Sequence, residues 1–484
     1  MRMVARRFIG EVFDLLEREH VIPLPHFAPH VRVGRDYFGD TIRSAASYSE
    51  LETAIEDLAP ERFAGTAVQL AARDFPSNYV FPLIDAAIYL CTVDGGGYAS
   101  TSTAVTEAIA TLVTALTDAS PEVAVCRAVT HLTTTSGEPI VLGSIGVTPA
   151  VGLDALRHIG SEIPSAGSAL TRDPPFVYDP PGSVLTIRGA SGSDPYQTTE
   201  ELSLQLERFL VAVRLVTSAS VQSAIEIRGA TVRINRMVPH RFDFQISGSL
   251  GSLIRRTARL SVGDAGLIAR VTELLGTRAV RREGVLISSF NMALSAYNRS
   301  HQAAPWTDRL VDLATALEAA GPLLHHVMGL IHNSSVVLRL RHRAGTLLVT
   351  ENDPSAAING DLKLLYELRS TLVHGGDLTE KRLKRMLAGL SRVPSDSSPG
   401  VRAELAVDRL RDLVRRSILA RLSLGGGEDP LWPFDEPLDV DALLVDDTKR
   451  VEWRSAWQMH IGQLAGNSAV RRARMAVDSI SRDD

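Results

Sequence analysis

Apolar residues recur every three or four positions over residues 4–18, with Val4, Phe8, Val12, Leu15 and Leu16 on one stripe. That spacing predicts an amphipathic helix. The same rule predicts helices over 104–118 and 120–133, and "VDGGGYAST" reads as a turn. The pattern then breaks. Residues 159–198 are dense in Pro, Gly and Ser and hold only short β-like pieces such as "VLTIRG", so loop-rich β structure is expected there. A helix over about 200–216 leads into "SAIEIRGATVRINR". There Ile225 and Ile227 alternate with polar residues, Arg228–Gly229 looks like a turn, and Val232 and Ile234 resume the alternation. This is a hairpin signal.

From about residue 262 the texture becomes helix after helix. The periodic segments are 265–276, 285–298, 307–320, 335–349, 361–374, 379–390 and 401–422, separated by short loops carrying Pro, Gly, Ser or Asn. Such a run describes a helical bundle. A partly helical tail follows over 428–484. The expected fold class is therefore multi-domain: a mixed α/β N-terminal region, an all-α bundle and a helical C-terminal tail. The expected boundaries are 1–160, a β-rich or mixed region over 161–262, the bundle over 263–425, and the extension over 426–484.

The 484 residues are 45% hydrophobic and 22% charged, which fits a globular chain with several cores. A net charge of −5 argues against indiscriminate binding to nucleic acid or membrane, so any basic surface is local. Cys91 and Cys126 stand far apart without CxxC spacing, which predicts neither a disulfide framework nor a zinc site. The first twenty residues mix charges into their apolar positions, unlike a signal peptide, and no run of eighteen apolar residues occurs. A cytoplasmic protein without a membrane span or cofactor is expected. No phosphate loop, H-E-x-x-H or G-x-S-x-G motif is present.

Candidate chemistry sits in "YELRSTLVHGGD", Tyr366 to Asp377. Asp361 or Asn359 is a candidate N-cap for this helix, Leu362, Leu365, Leu368 and Leu372 form its buried stripe, and Gly375 suits the position just past its end. Arg369 and His374 then fall in the last turn and a half. A histidine can accept and donate a proton near neutrality, and an arginine fork can hold two phosphate oxygens. Together they supply the minimum for metal-free cleavage of RNA. On an ideal helix, however, five residues rotate the two side chains about 140° apart and separate them by about 7.5 Å along the axis. Two copies facing each other across a symmetric cleft would solve this, so a dimer is implied if the pair is catalytic. Arg233…His240 and Arg454…His460 repeat the spacing in other contexts. The plainer alternative is that Arg369 and His374 cap carbonyls and pair with Glu367 or Asp377.

The next helix, "TEKRLKRMLAGL", carries Lys381, Arg382, Lys384 and Arg385, which are candidate RNA-binding residues. Residues 361–421 hold thirteen bases against eight acids inside an acidic chain. A phosphate backbone would use such a patch, although a solvated helix face also explains it. His325, His326 and His332 lack carboxylate or cysteine partners at ligand spacing, so no metal site is expected. The acidic stretch 435–447 lacks the glycine and terminal Glu of a calcium loop and reads as a solvated linker.

Three stretches resemble the Apea-like group of HEPN domains. "DRLVDLATALEA" (Asp308–Ala319) looks like its first long helix, "LRLRHRAGTLL" (Leu338–Leu348) resembles its R-x-A-x-LL helix, and "LYELRSTLVHGG" is similar to its signature Y-x-L-R-[SN]-x-x-x-H-G. "DRLRDLVRRSIL" resembles the closing helix, and the whole covers about residues 285–424. The resemblance implies a HEPN helical bundle, dimeric through that bundle. It also implies a metal-independent ribonuclease that acts as a toxin or abortive-infection effector against phage, with tRNA or other RNA as target. It places Arg369 and His374 as the catalytic pair. Ser370 stands where the family's active nucleases commonly carry Asn, Asp or His. A phage-derived trigger or a neutralising partner belongs to the same expectation. The alternative from the same family is a non-catalytic module that binds RNA or protein.

Overall fold

The structure is a computed structural model. It describes residues 1–18, 38–60, 77–93, 103–117, 122–163, 182–190, 195–217, 219–231, 257–276, 289–301, 305–320, 333–391, 393–394, 397–425 and 440–459. The chain divides into two compact units. The first comprises Met1–Val129, Gly137–Leu206 and Ser223–Ile246, and the second comprises Thr130–Ser136, Glu207–Gln222 and Ser247–Asp484.

The first unit opens with α1 (Arg2–Arg18), α2 (Phe38–Arg43), α3 (Tyr48–Leu58), α4 (Ser77–Val93) and α5 (Thr103–Thr117). The stripe expected on α1 is buried through Phe8, Val12 and Leu16, which pack with Leu51, Ile55, Leu83 and Leu112 in one apolar core. The chain then forms β1 (Glu122–Thr130), β2 (Leu132–Thr134), β3 (Ile140–Leu142), β4 (Ile145–Pro149), α6 (Leu153–Glu162), β5 (Ser183–Ala190), α7 (Pro195–Thr217) and β6 (Gln222–Ala230). Five strands make one sheet in the order β3-β4-β5-β1-β6. The β3–β4, β4–β5 and β1–β5 pairs are antiparallel.

Two expectations change here. The helix expected over 120–133 is instead β1, a central strand buried along Val123–Thr130. A strand covered on both faces has a near-continuous apolar run, which spacing cannot tell from a helix. The hairpin expected at 225–234 is a single strand as far as it is described, since β6 runs straight through Arg228–Gly229. Val232 and Ile234 lie outside the described residues.

The polar positions of β6 are buried as well. Ile225 and Ile227 join Cys126, Leu156 and Ile159 in an apolar core. Glu226 accepts hydrogen bonds from Arg127 Nε at 2.8 Å, Ser203 Oγ at 2.8 Å and Arg228 Nε at 2.7 Å. Burial opposes its charge, but Arg127 and these donors outweigh burial and hold the Glu226 carboxyl below its ordinary range.

The second unit contains β7 (Ala258–Leu260), which pairs in parallel with β2, and then α8 (Ala265–Leu275), α9 (Ser289–Arg299) and α10 (Trp306–Ala319). It continues with α11 (Asn333–Leu347), α12 (Ser355–Val373), α13 (Glu380–Met386), α14 (Pro399–Gly425), α15 (Val440–Val445) and α16 (Asp447–Trp457). These follow the helical segments read from the sequence. One start moves: α12 begins at Ser355, six residues before the expected Asp361. Asp361 is no cap. It is a buried mid-helix residue that accepts from Ser391 N at 2.7 Å and pairs with Arg409 Nε at 2.7 Å.

The centre of this unit is α14, buried at every position from Arg402 to Leu422. A helix buried all round is ordinarily apolar. This one carries six buried arginines, so each needs an internal partner. Arg409 clasps Asp353 through two bonds of 2.8 and 2.9 Å, and Arg416 pairs with the same carboxylate. Arg415 bonds Asp412 at 2.9 Å and the Leu215 carbonyl at 2.8 Å, while Arg309 of α10 pairs with Glu404 at 2.5 Å. The second Asp412 oxygen lies 2.9 Å from Arg416 without hydrogen-bond alignment, an ion pair held by charge alone.

The stretch expected as an acidic linker is described from residue 440. It forms α15, and Asp446 caps α16 by accepting from Thr448 N at 2.8 Å and Lys449 N at 3.0 Å. Among the described residues, no helix is long and apolar enough to cross a membrane.

Candidate functional site

Helix α12 ends as the glycine pair predicted. His374 is the C-cap just past Val373, with its N–H bonded to the Ser370 carbonyl at 3.1 Å. Gly375 turns left-handed at φ +68°, its N–H reaches Leu372 O at 3.4 Å, and Gly376 N–H reaches Thr371 O at 2.9 Å. This crossed pair of bonds closes the last carbonyls and stops the helix sharply. The next segment leaves through Asp377, whose carbonyl accepts from Arg382 at 2.6 Å. Thr379 then caps α13 by accepting from Arg382 N at 3.2 Å.

Ser370 and His374 are exposed, and Arg369 is half-buried. The Nε of Arg369 is buried and has no hydrogen-bond partner among the described residues. One turn earlier, Tyr366 is buried and donates to the Ala314 carbonyl of α10 at 3.4 Å. Burial pushes the Tyr366 hydroxyl well above its ordinary pKa, and the charge of Glu318 adds to the shift. Tyr366 therefore anchors α12 to α10 as a neutral donor.

No hydrogen bond or ion pair joins Arg369 to His374 among the described residues. The helix is regular up to its final bond, so the separation of about 140° and about 7.5 Å for an ideal helix applies. On that ideal geometry the two side chains of one chain leave the helix in different directions. Neither pairs with Glu367 or Asp377 among the described residues, so the plainer structural role read for them gains no contact either.

Lys381, Arg382, Lys384 and Arg385 are all exposed on α13, with Leu383 and Leu387 turned to the core. The wider basic excess over 361–421 is different. Arg402, Arg409, Arg411, Arg415, Arg416 and Arg421 are buried in α14 and are not surface charge. Among the described bases of that segment, the exposed ones are Lys363 and the four cations of α13.

Of the other two Arg–His spacings, only Arg454 lies among the described residues. Arg454 lies on α16 and donates to the Thr346 carbonyl at 2.6 Å, a structural use. His460, Arg233 and His240 lie outside the described residues, as do His325, His326 and His332. Among the described residues no group of three His, Cys, Asp or Glu side chains could hold a metal ion. Cys91 and Cys126 are both buried, and burial pushes the Cys126 thiol up to about 12.

Sequence reasoning missed Asp353, the hub of the buried charges. Its signal was one of two acids, Glu351 and Asp353, in "TENDPSA" between two helices, which also fits an ordinary turn. No protein-family model, curated protein or solved structure matches this chain.

Proposed function

We propose that the helical unit is a metal-independent endoribonuclease that works as a homodimer in cytoplasmic defence or toxicity. The observation that carries this reading is an exposed His374 at a sharply terminated helix end. A half-buried Arg369 with an unpartnered Nε precedes it, and an exposed cationic helix follows directly. The resemblance of residues 285–424 to Apea-like HEPN domains supports the same assignment.

In this reading His374 takes the proton of a ribose 2′-hydroxyl and the 2′ oxygen attacks the adjacent phosphorus. Arg369 stabilises the charge that builds on the phosphorane oxygens. The bond from phosphorus to the 5′ oxygen breaks, and the imidazolium returns its proton to that leaving oxygen. The products are a 2′,3′-cyclic phosphate and a 5′-hydroxyl. Two copies enter this reading because ideal helix geometry turns the arginine and histidine of one chain about 140° apart. Ser370 flanks the pair, and Lys381, Arg382, Lys384 and Arg385 track the RNA backbone. The N-terminal unit is the part that senses a trigger or restrains the nuclease.

The test compares wild type with His374→Ala and Arg369→Ala on total small RNA in EDTA, with sedimentation and circular dichroism in parallel. Cleavage by wild type and a loss of about 100-fold or more in each variant, at unchanged fold and oligomeric state, is the expected result. Cleavage unchanged by His374→Ala rejects the assignment. The separation of Arg369 from His374 favours a second reading, a non-catalytic module that docks RNA or protein at this helix end. Retained RNA affinity with no cleavage by wild type selects it.

A further inference from the structure

His301 closes the turn that ends α9, and it is 3% exposed. Neither Nδ1 nor Nε2 has a hydrogen-bond partner among the described residues. The ring meets the edge of Tyr297 at 4.8 Å. The backbone around it is held from several sides. His301 N bonds Asn298 O at 3.1 Å, and Gln222 Nε2 donates to His301 O. Arg411 donates to Ser300 O at 2.8 Å, Ser300 Oγ to Tyr297 O at 2.6 Å, and Tyr297 OH to Arg214 O at 3.2 Å. These bonds fix the backbone that carries the buried ring.

The charged groups facing it come from three helices. Arg214 of α7 lies 3.8 Å from Glu207, Arg309 of α10 lies 2.5 Å from Glu404, and Arg411 of α14 lies 3.9 Å from Asp408. Each carboxylate is thus committed to an arginine, and none is paired with the imidazole. A proton on this ring creates a buried cation beside three others, with a second N–H and nothing to accept it. Burial holds the His301 imidazole well below the ordinary histidine range, and the charges of Arg411, Arg214 and Arg309 push it the same way.

We propose that His301 is an acid-sensitive latch: a proton taken up by its ring below neutral pH opens the turn that ends α9 and frees the contacts of Gln222, Arg214 and Arg411 seated on it. The direction follows from proton linkage. The open turn binds a proton at the ordinary pKa near 6.5 and the closed turn binds it more weakly. Opening is therefore favoured by about tenfold for each pH unit below 6.5, until the closed form also titrates. At pH 7.5 the latch is shut. The device is independent of the nuclease reading, since no RNA contact enters the argument.

The experiment is hydrogen exchange on the full chain at pH 7.5, 6.5 and 5.5, corrected for intrinsic rates, with wild type and His301→Phe. Phenylalanine keeps the ring against Tyr297 and removes the titration. Peptides covering 289–301 in wild type are expected to lose protection by about fivefold between pH 6.5 and 5.5, while α1 changes little and His301→Phe stays protected. His301→Gln serves if the phenylalanine variant does not fold. Equal pH profiles in wild type and variant overturn the proposal, as does a loss of protection spread evenly over the chain.

Discussion

Asp353 takes two arginines of α14 at once. Burial alone would favour its neutral form, yet bonds from Arg409 and the charge of Arg416 win and hold its carboxyl below the ordinary range. The same coupling raises the Arg409 guanidinium against the opposing effect of burial. Asp353→Asn leaves both cations buried without this charge, and removing one partner of such a pair costs about 3–5 kcal/mol. Urea unfolding at pH 7 measures that loss. Because the folded carboxyl titrates below its unfolded value, the stabilisation is complete above the unfolded pKa and is lost as pH falls through the folded one. The variant should accordingly lose less stability than wild type on acidification through that window. Cys126, with its thiol raised by burial, should resist thiol reagents at pH 8 until urea unfolds the chain. At this scale the sequence was legible for groups whose partners are near in the chain, such as Gly375. It was not legible for Asp361, whose partners Ser391 and Arg409 lie 30 and 48 residues away.

Helices α11, α12 and α16 show how ends are closed by different means. The end of α12 uses backbone alone through Gly375, and Gly375→Ala forces a side chain into the left-handed region, costing about 1–2 kcal/mol. A thermal melt of this variant checks the figure, and open space around the position leaves conformational strain as the cause. The end of α11 instead borrows donors from the tail. Arg454 reaches Thr346 O at 2.6 Å, Trp457 Nε1 reaches Leu347 O at 2.9 Å, and Gln458 reaches Val349 O at 2.5 Å. Arg416 takes Leu348 O at 2.8 Å, so four successive carbonyls are capped from later parts of the chain. Trp457→Phe keeps the buried ring and removes one such bond, a loss of about 1 kcal/mol. Chain spacing identified these helices, because a stripe that faces a core repeats locally. It could not show that the tail is part of the bundle, since capping in trans has no period.

For the molecule as a whole, the distribution of charge decides what RNA could feel. If all thirteen bases of 361–421 met phosphate, the slope of log affinity against log salt for a single strand would be about −9. With only the exposed bases described there, Lys363, Lys381, Arg382, Lys384 and Arg385, and half-buried Arg369 on phosphate, it should be about −4 per copy. A filter-binding titration over salt separates the two, and Lys381→Glu with Lys384→Glu should flatten the slope further. By itself the sequence determined most of the helices after residue 262, where α12 stops and that its last turns carry Arg369 and His374. Those facts rest on periodicity and turn chemistry, which act within a few residues. Only the tertiary structure decided that 122–130 is a strand and that α14 lies at the centre of its unit. It alone showed that six arginines of α14 are buried inside the unit and are not surface charge. Burial and pairing depend on what packs against a residue, and those neighbours lie tens to hundreds of positions away.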